Sequence, residues 1–143
     1  MEINSFKIRD FNSICNIFCS VLQDHPMTEQ ELNISLKNTL SGGGSHTYCF
    51  FDNGQLIGFV ILAPGKLFYE KKYKTVIDFI YLPESHCNAN NLNQIMNVIN
   101  TWADEKHYEG LCVGTTAFLQ PAIKTILFDM QTFNSIETVW ETV

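Results

Sequence analysis

Apolar residues recur along this chain at two spacings, every second position or every third and fourth, and each switch between them marks a new element. Residues 5–9 alternate loosely and predict a short first strand. Asp10-Phe11-Asn12 then opens a helix to about Leu22, whose apolar stripe is Phe11, Ile14, Cys15, Phe18, Val21 and Leu22. Pro26 breaks the chain, and Thr28 with Glu31 three residues later forms the capping box of a second helix carrying Leu32, Leu36 and Leu40. Ser41-Gly42-Gly43-Gly44-Ser45 is a flexible surface connection, its glycines too close together for dinucleotide or Walker spacing. Residues 46–51 and 55–62 are β-rich runs joined by Asp52-Asn53-Gly54, a hairpin signal because these residues accept the positive φ of a tight turn.

The block at 76–103 organises the rest. An apolar strand over residues 76–82 stops at Pro83, and a polar loop over 84–91 follows. Leu92, Ile95, Met96, Ile99, Trp102 and Ala103 then fall on one helical face. A strand that feeds a helix through a short loop leaves unpaired N–H groups at the helix start, an arrangement that binds phosphates. Asn88, Asn90 and Asn91 are candidate caps for that helix. Residues 110–114 predict a short buried strand bounded by glycines, and residues from Phe118 to about Met130 a helix with Pro121 in its first turn. The alternation over 136–143 predicts a last strand. The order is β-α-α-β-β-β-α-β-α-β, an α/β chain expected to form one domain over residues 1–143.

Composition narrows the function classes. With 45% hydrophobic and 17% charged residues over 143 positions the chain can bury an ordinary core, and no apolar run reaches the roughly 18 residues of a membrane span. The amino terminus lacks the basic head and apolar block of a signal peptide, so a cytoplasmic location is expected, with no membrane partner. A net charge of −6, with lysines clustered only at Lys71-Lys72 and Lys74, argues against nucleic acid and suits a cationic small molecule. Four of the five cysteines, Cys15, Cys19, Cys49, Cys87 and Cys112, lie in apolar segments and read as reduced core thiols. No metal is expected, because no pair elsewhere complements Cys15 and Cys19 with zinc spacing.

Asp52-Asn53-Gly54-Gln55-Leu56-Ile57-Gly58-Phe59, then Ile77-Asp78-Phe79-Ile80-Tyr81-Leu82-Pro83-Glu84, then Trp102-Ala103 and His107-Tyr108-Glu109-Gly110-Leu111 together resemble the GNAT acyltransferase superfamily over almost the whole chain. The resemblance implies a mixed, mostly antiparallel sheet with helices on both faces, splayed between its fourth and fifth strands, with acetyl-CoA as co-substrate in the splay. It places Phe79, Ile80, Tyr81 and Leu82 along the coenzyme, with backbone amides near Tyr81 and Leu82 polarising the thioester. The loop and helix start, Cys87, Asn88, Ala89, Asn90, Asn91 and Leu92, fall on the pyrophosphate. The family's loop pattern of Arg or Gln, two residues, Gly, one residue, then Gly or Ala meets Cys87, Asn90 and Leu92 in one frame, or His86, Ala89 and Asn91 in the other. The tyrosine that often protonates the leaving thiolate aligns with Phe128, and the asparagine before that helix has only Gln120 near it.

An acyl transfer to an amine needs a base, and Asp78 is the carboxylate within the fourth strand. It shares strand parity with Ile80 and Leu82, so a bulge would decide which face it takes. Glu84, His46 and Tyr48 are weaker candidates, and His86 and His107 read as element ends facing solvent. The expected function is transfer of acetyl to a primary amine of a small molecule or peptide, the acceptor side being built by the first two helices and residues 66–74. The alternative is a non-catalytic module of the same fold that binds a protein or senses a metabolite. Phe68, Tyr69 and the Trp140 strand could pair two copies as a homodimer.

Overall fold

The computed structural model describes residues 1–22, 27–118, 123, 136 and 137. Among the described residues the elements are β1 (Glu2–Ser5), α1 (Phe11–Val21), α2 (Glu29–Ser41), β2 (His46–Asp52), β3 (Gln55–Gly65), β4 (Lys74–Tyr81), α3 (Ala89–Lys106), β5 (Leu111–Phe118) and β6 (Ile136–Glu137). The strands form one sheet in chain order. β1 to β4 are antiparallel neighbours, while β5 joins β4 and β6 joins β5 in parallel.

Local signals set most of this. Thr28 and Glu31 close the expected capping box reciprocally, each side chain accepting the other's amide at 3.1 Å. Asn53 and Gly54 both take positive φ, 51° and 78°, and turn β2 into β3. The first strand, however, lies at Glu2–Ser5 and not at 5–9. The Asp10 carboxylate accepts the Lys7 amide at 3.1 Å and the Asp10 amide donates to the Lys7 carbonyl at 2.8 Å. That closes a 3-10 turn over Ile8–Asp10 where the alternation suggested extended chain. β5 runs four residues beyond Gly114, so Phe118 ends a strand and does not begin a helix. Of the helix expected after it, Ile123 is fully buried and the rest lies outside the described residues, as does the last strand beyond Glu137.

Two apolar layers hold the sheet. On one face α3 packs Leu92, Ile95, Met96, Ile99 and Trp102 against Phe50, Val60, Leu62, Ile77, Ile80 and Leu82. On the other, Ile14 and Cys15 of α1 and Leu36 of α2 cover Cys49, Phe59, Ile61 and Phe79. Helices on both faces of a mostly antiparallel sheet are as expected. One polar group sits badly: Thr75 is 1% exposed, and its hydroxyl has no hydrogen-bond partner among the described residues. Thr75→Val keeps the shape and removes the unsatisfied group, so it is expected to stabilise the protein by about 1 kcal/mol. An unfolding midpoint that drops in urea would show that the hydroxyl is satisfied after all.

Candidate functional site

The fourth strand is interrupted on both sides at one residue. Against β3, Ile61 faces Phe79 and Leu62 faces Ile77, so Asp78 is the extra residue of a β-bulge. Against β5 the ladder is regular from Thr75 to Ile77 and then breaks. Phe79 next faces Phe118, leaving four residues of β5, 114–117, opposite Asp78 alone. The bulge resets the alternation: Ile77 and Ile80, three apart, both enter the α3-side core, while Phe79 turns toward α1 and α2. Asp78 is thereby released from the parity of the fully buried Ile80 and Leu82, and is exposed. Its carboxyl nonetheless lies close enough to packed protein, between buried Ile77 and Phe79, for desolvation to raise its pKa.

The same strand delivers the chain to the start of α3. After Pro83 a 3-10 turn over Glu84–His86 leads to Asn88, which caps the helix: its side-chain oxygen accepts the Asn91 amide at 2.8 Å. The Asn91 side chain in turn donates to the His86 carbonyl at 2.9 Å, tying the loop to the first helical turn. Ala89 and Asn90 are exposed and their amides, in that first turn, have no intrahelical acceptor. Cys87 donates its thiol toward the Leu82 and Pro83 carbonyls, each at 3.4 Å, and burial followed by the nearby Glu84 charge pushes its pKa up. It is a neutral group at neutral pH.

A bulged strand, a broken parallel ladder beside it and an open helix start immediately after it form one continuous edge. No protein-family model and no curated protein matches the sequence. Solved structures do match. The ribosomal-protein-alanine N-acetyltransferase of Brucella melitensis biovar Abortus 2308 superposes with a TM-score of 0.71 over 100% of this chain and 97% of that one, at 17% identity. An aminoglycoside antibiotic 6'-N-acetyltransferase from Acinetobacter haemolyticus gives 0.72 over 100% and 94%, at 13% identity. A predicted acetyltransferase from Clostridium acetobutylicum, solved with acetyl-CoA, gives 0.70 over 91% and 89%, at 15% identity. The fold is that of the GNAT acetyltransferases.

Within this GNAT fold the sequence-derived residues separate into groups. Asp78 sits at the bulge, beside the interruption in the β4–β5 ladder, which pairs again at Phe79 and Phe118. Phe79, Ile80 and Leu82 are buried core side chains, so only their backbone can line a ligand, and Tyr81 is half-buried beside Phe59. At the helix start Asn88, Ala89 and Asn90 are exposed and Asn91 half-buried. Leu92 is fully buried against Ile95 and offers no side-chain contact to a phosphate. His46 and Tyr48 lie on β2, two strands from β4, with ring centroids 4.5 Å apart and Tyr48 packed on the α3-side core, so they are not brought to Asp78. Glu84 is exposed in the 3-10 turn and His107 is exposed at the end of α3. Phe128, Gln120 and the side chain of Cys112 lie outside the described residues.

His86 is the residue sequence reasoning misplaced. It is not a free element end: its Nε2 lies 2.8 Å from the Asp52 carboxylate and its Nδ1 3.0 Å from the Ser85 hydroxyl. Nothing local signals a pairing across 34 residues. The pair ties the β2–β3 turn to the loop before α3, and the His86 hydrogen bond is the leading cause of a lowered Asp52 pKa. A carboxylate with a depressed folded-state pKa stabilises above its unfolded value and loses that contribution as pH falls through the folded one. Acidification below about pH 4 is therefore expected to release the turn from the loop. Amide hydrogen exchange across residues 52–54 and 84–88 reads it: His86→Ala should speed exchange there at neutral pH, and unchanged protection would show that the pair anchors nothing.

For acetyl-CoA the donor set fits in part. Two backbone amides at a helix start suit a diphosphate. The loop from Pro83 to Leu92 has no Lys or Arg, and the Asp52 carboxylate stands beside its histidine. Among the described residues no three His, Cys, Asp or Glu side chains are grouped to hold a metal ion.

Proposed function

We propose that the protein is an N-acetyltransferase that moves acetyl from acetyl-CoA to a primary amine of a small molecule or peptide. One observation carries the reading: the bulge puts Asp78, its pKa raised, at the break in the β4–β5 ladder, on the strand that leads into the open start of α3. In this chemistry Asp78 takes a proton from the acceptor ammonium, and the freed amine attacks the thioester carbonyl. The carbon–nitrogen bond forms, the carbon–sulfur bond breaks, and the nitrogen's surplus proton passes to the departing thiolate. A thiolate is a far weaker base than an alkoxide and leaves more readily, so the chemistry does not depend on a strong general acid.

The second reading, a non-catalytic module of the same fold, draws support from the loop's chemistry. Cys87 is neutral, no Lys or Arg stands in the loop, and the Asp52 carboxylate opposes a diphosphate. Calorimetric titration with acetyl-CoA separates the two. Saturable heat together with free thiol released in the presence of an amine panel supports the transferase. No heat at millimolar ligand sinks it.

A further inference from the structure

Two segments distant in sequence each hold exposed apolar side chains among cations. In Lys7-Ile8-Arg9, Ile8 is 89% exposed and both flanking cations are exposed. In residues 66–74, Phe68 is 96% and Tyr69 69% exposed, with Lys71 and Lys72 exposed beside them. The sheet brings these segments to one end. β1 leaves after Ser5, with the Phe6 amide bonded to the Thr47 carbonyl at 2.8 Å, and β3 passes His46 at Leu62 and leaves at Gly65 opposite Lys74. Six of the nine Lys and Arg residues lie in these two segments. Together the segments carry a net +5 and the remaining residues −11, giving the chain its −6.

The 66–74 turn is a built feature. The Glu70 carboxylate accepts the Leu67 amide at 2.8 Å and pairs with Lys74 at 3.3 Å, while the Lys66 ammonium donates to the Glu70 carbonyl at 3.3 Å and sits 5.3 Å from the Tyr73 ring centroid. These contacts engage Lys66, Glu70 and Lys74 and leave Lys71 and Lys72 to solvent. Phe68 and Tyr69 project at the apex, adding nothing to the core, and such exposed apolar surface marks an interaction site. Asp10 is engaged by the Lys7 amide. Among the described residues the exposed acids at this end are Asp104 and Glu105 in the last turn of α3, on the opposite face of the sheet from α1, into which Lys7 to Arg9 leads, and Glu109, which lies beside the 66–74 segment with its amide donating to the Tyr73 carbonyl at 2.9 Å.

The shape selects among anionic partners. Both segments are exposed and leave the sheet at the same end, where one extended surface can reach them together. The Phe68 and Tyr69 rings stand at 89° to each other, so they make no platform for successive nucleobases. Two copies set tip to tip would bring like charges together. We propose that this end of the sheet is a peripheral docking surface for a bilayer containing anionic phospholipid, with Phe68, Tyr69 and Ile8 entering the headgroup boundary and Lys7, Arg9, Lys71 and Lys72 meeting the phosphates. It is a surface contact: among the described residues no helix is long and apolar enough to cross a membrane. The acids at the end of α3 tilt the molecule toward its α1 side, and salt screens the attraction.

Sedimentation of the full chain with phosphatidylcholine vesicles, with and without phosphatidylserine, tests this directly. Binding is expected only with phosphatidylserine present, falling as salt rises. Lys71→Glu with Lys72→Glu should weaken it by more than about tenfold, and Phe68→Ala with Tyr69→Ala by about tenfold, all without a change in thermal midpoint because these side chains are exposed. Ile8→Ser should give a smaller loss that shows the second tip in contact. Equal sedimentation with both vesicle types, none with either, or full binding by the lysine variant overturns the proposal. So does retention of polyadenylate RNA or polyglutamate without vesicle binding, which would reassign the patch to nucleic acid or to an acidic protein.

Discussion

Asp78→Asn is expected to lower kcat/KM for acetyl transfer by roughly 10²- to 10⁴-fold, the usual contribution of a positioned general base, while leaving the fold intact. The fold is spared because Asp78 is exposed at the bulge and because the sign of its pKa shift is unfavourable to folding. An acid whose pKa is raised by desolvation is less well solvated as an anion in the folded state, so it opposes stability at pH above its unfolded value. Neutralising it as the amide is neutral to mildly stabilising. The pH dependence supplies a second readout. In the wild type the acid limb of kcat/KM should lie above the ordinary carboxylate value of about 4, and the variant should lose that limb. A rate within about twofold of wild type, or an unchanged limb, would remove Asp78 from the chemistry.

Gly58→Ala is expected to cost about 3 kcal/mol, read as a fall of about 10 °C in thermal midpoint. The β3 backbone at Gly58 passes so near β4 that an added Cβ would clash with the Tyr81 carbonyl oxygen, far inside van der Waals contact distance, and would also lie 3.2 Å from a Phe50 ring carbon. Tyr81 cannot yield cheaply, because its neighbours Ile80 and Leu82 are fixed in the core at 0% exposure. Relief must come from moving the end of β4, and with it the turn that leads to α3. The variant should therefore bind acetyl-CoA less well than its residual stability suggests. Gly43→Ala is the control, since an added Cβ there meets nothing within 4 Å. Matching melts for the two variants would mean the strands separate without cost.

Where a feature depends on neighbours in sequence, it was legible. The Thr28–Glu31 box, the Asn53-Gly54 turn and the buried face of α3 follow from hydrogen bonds and periodicity within a few residues. The resemblance also picked out the glycine at position 58, although the reason it must be glycine lies 23 residues away in Tyr81. The loop over 84–91 is polar and helix-capping on sequence, and Asn88 proved to be the cap among three candidates, because its side chain accepts the Asn91 amide.

The sequence by itself determined the order of the elements from β1 to β5, the faces their helices bury and the chemistry available in each loop, since these rest on side-chain spacing along one chain. Three things waited for the tertiary structure. The side on which Asp78 lies depended on a bulge set by the register of β3 against β4, and strand periodicity cannot report a residue that two partners skip. The anchoring of His86 by Asp52 joins residues 34 positions apart, and the strand register carries the segments of Ile8 and Phe68, 60 positions apart, to the same end of the sheet. Such contacts arise when the packed layers close, and no local preference encodes them.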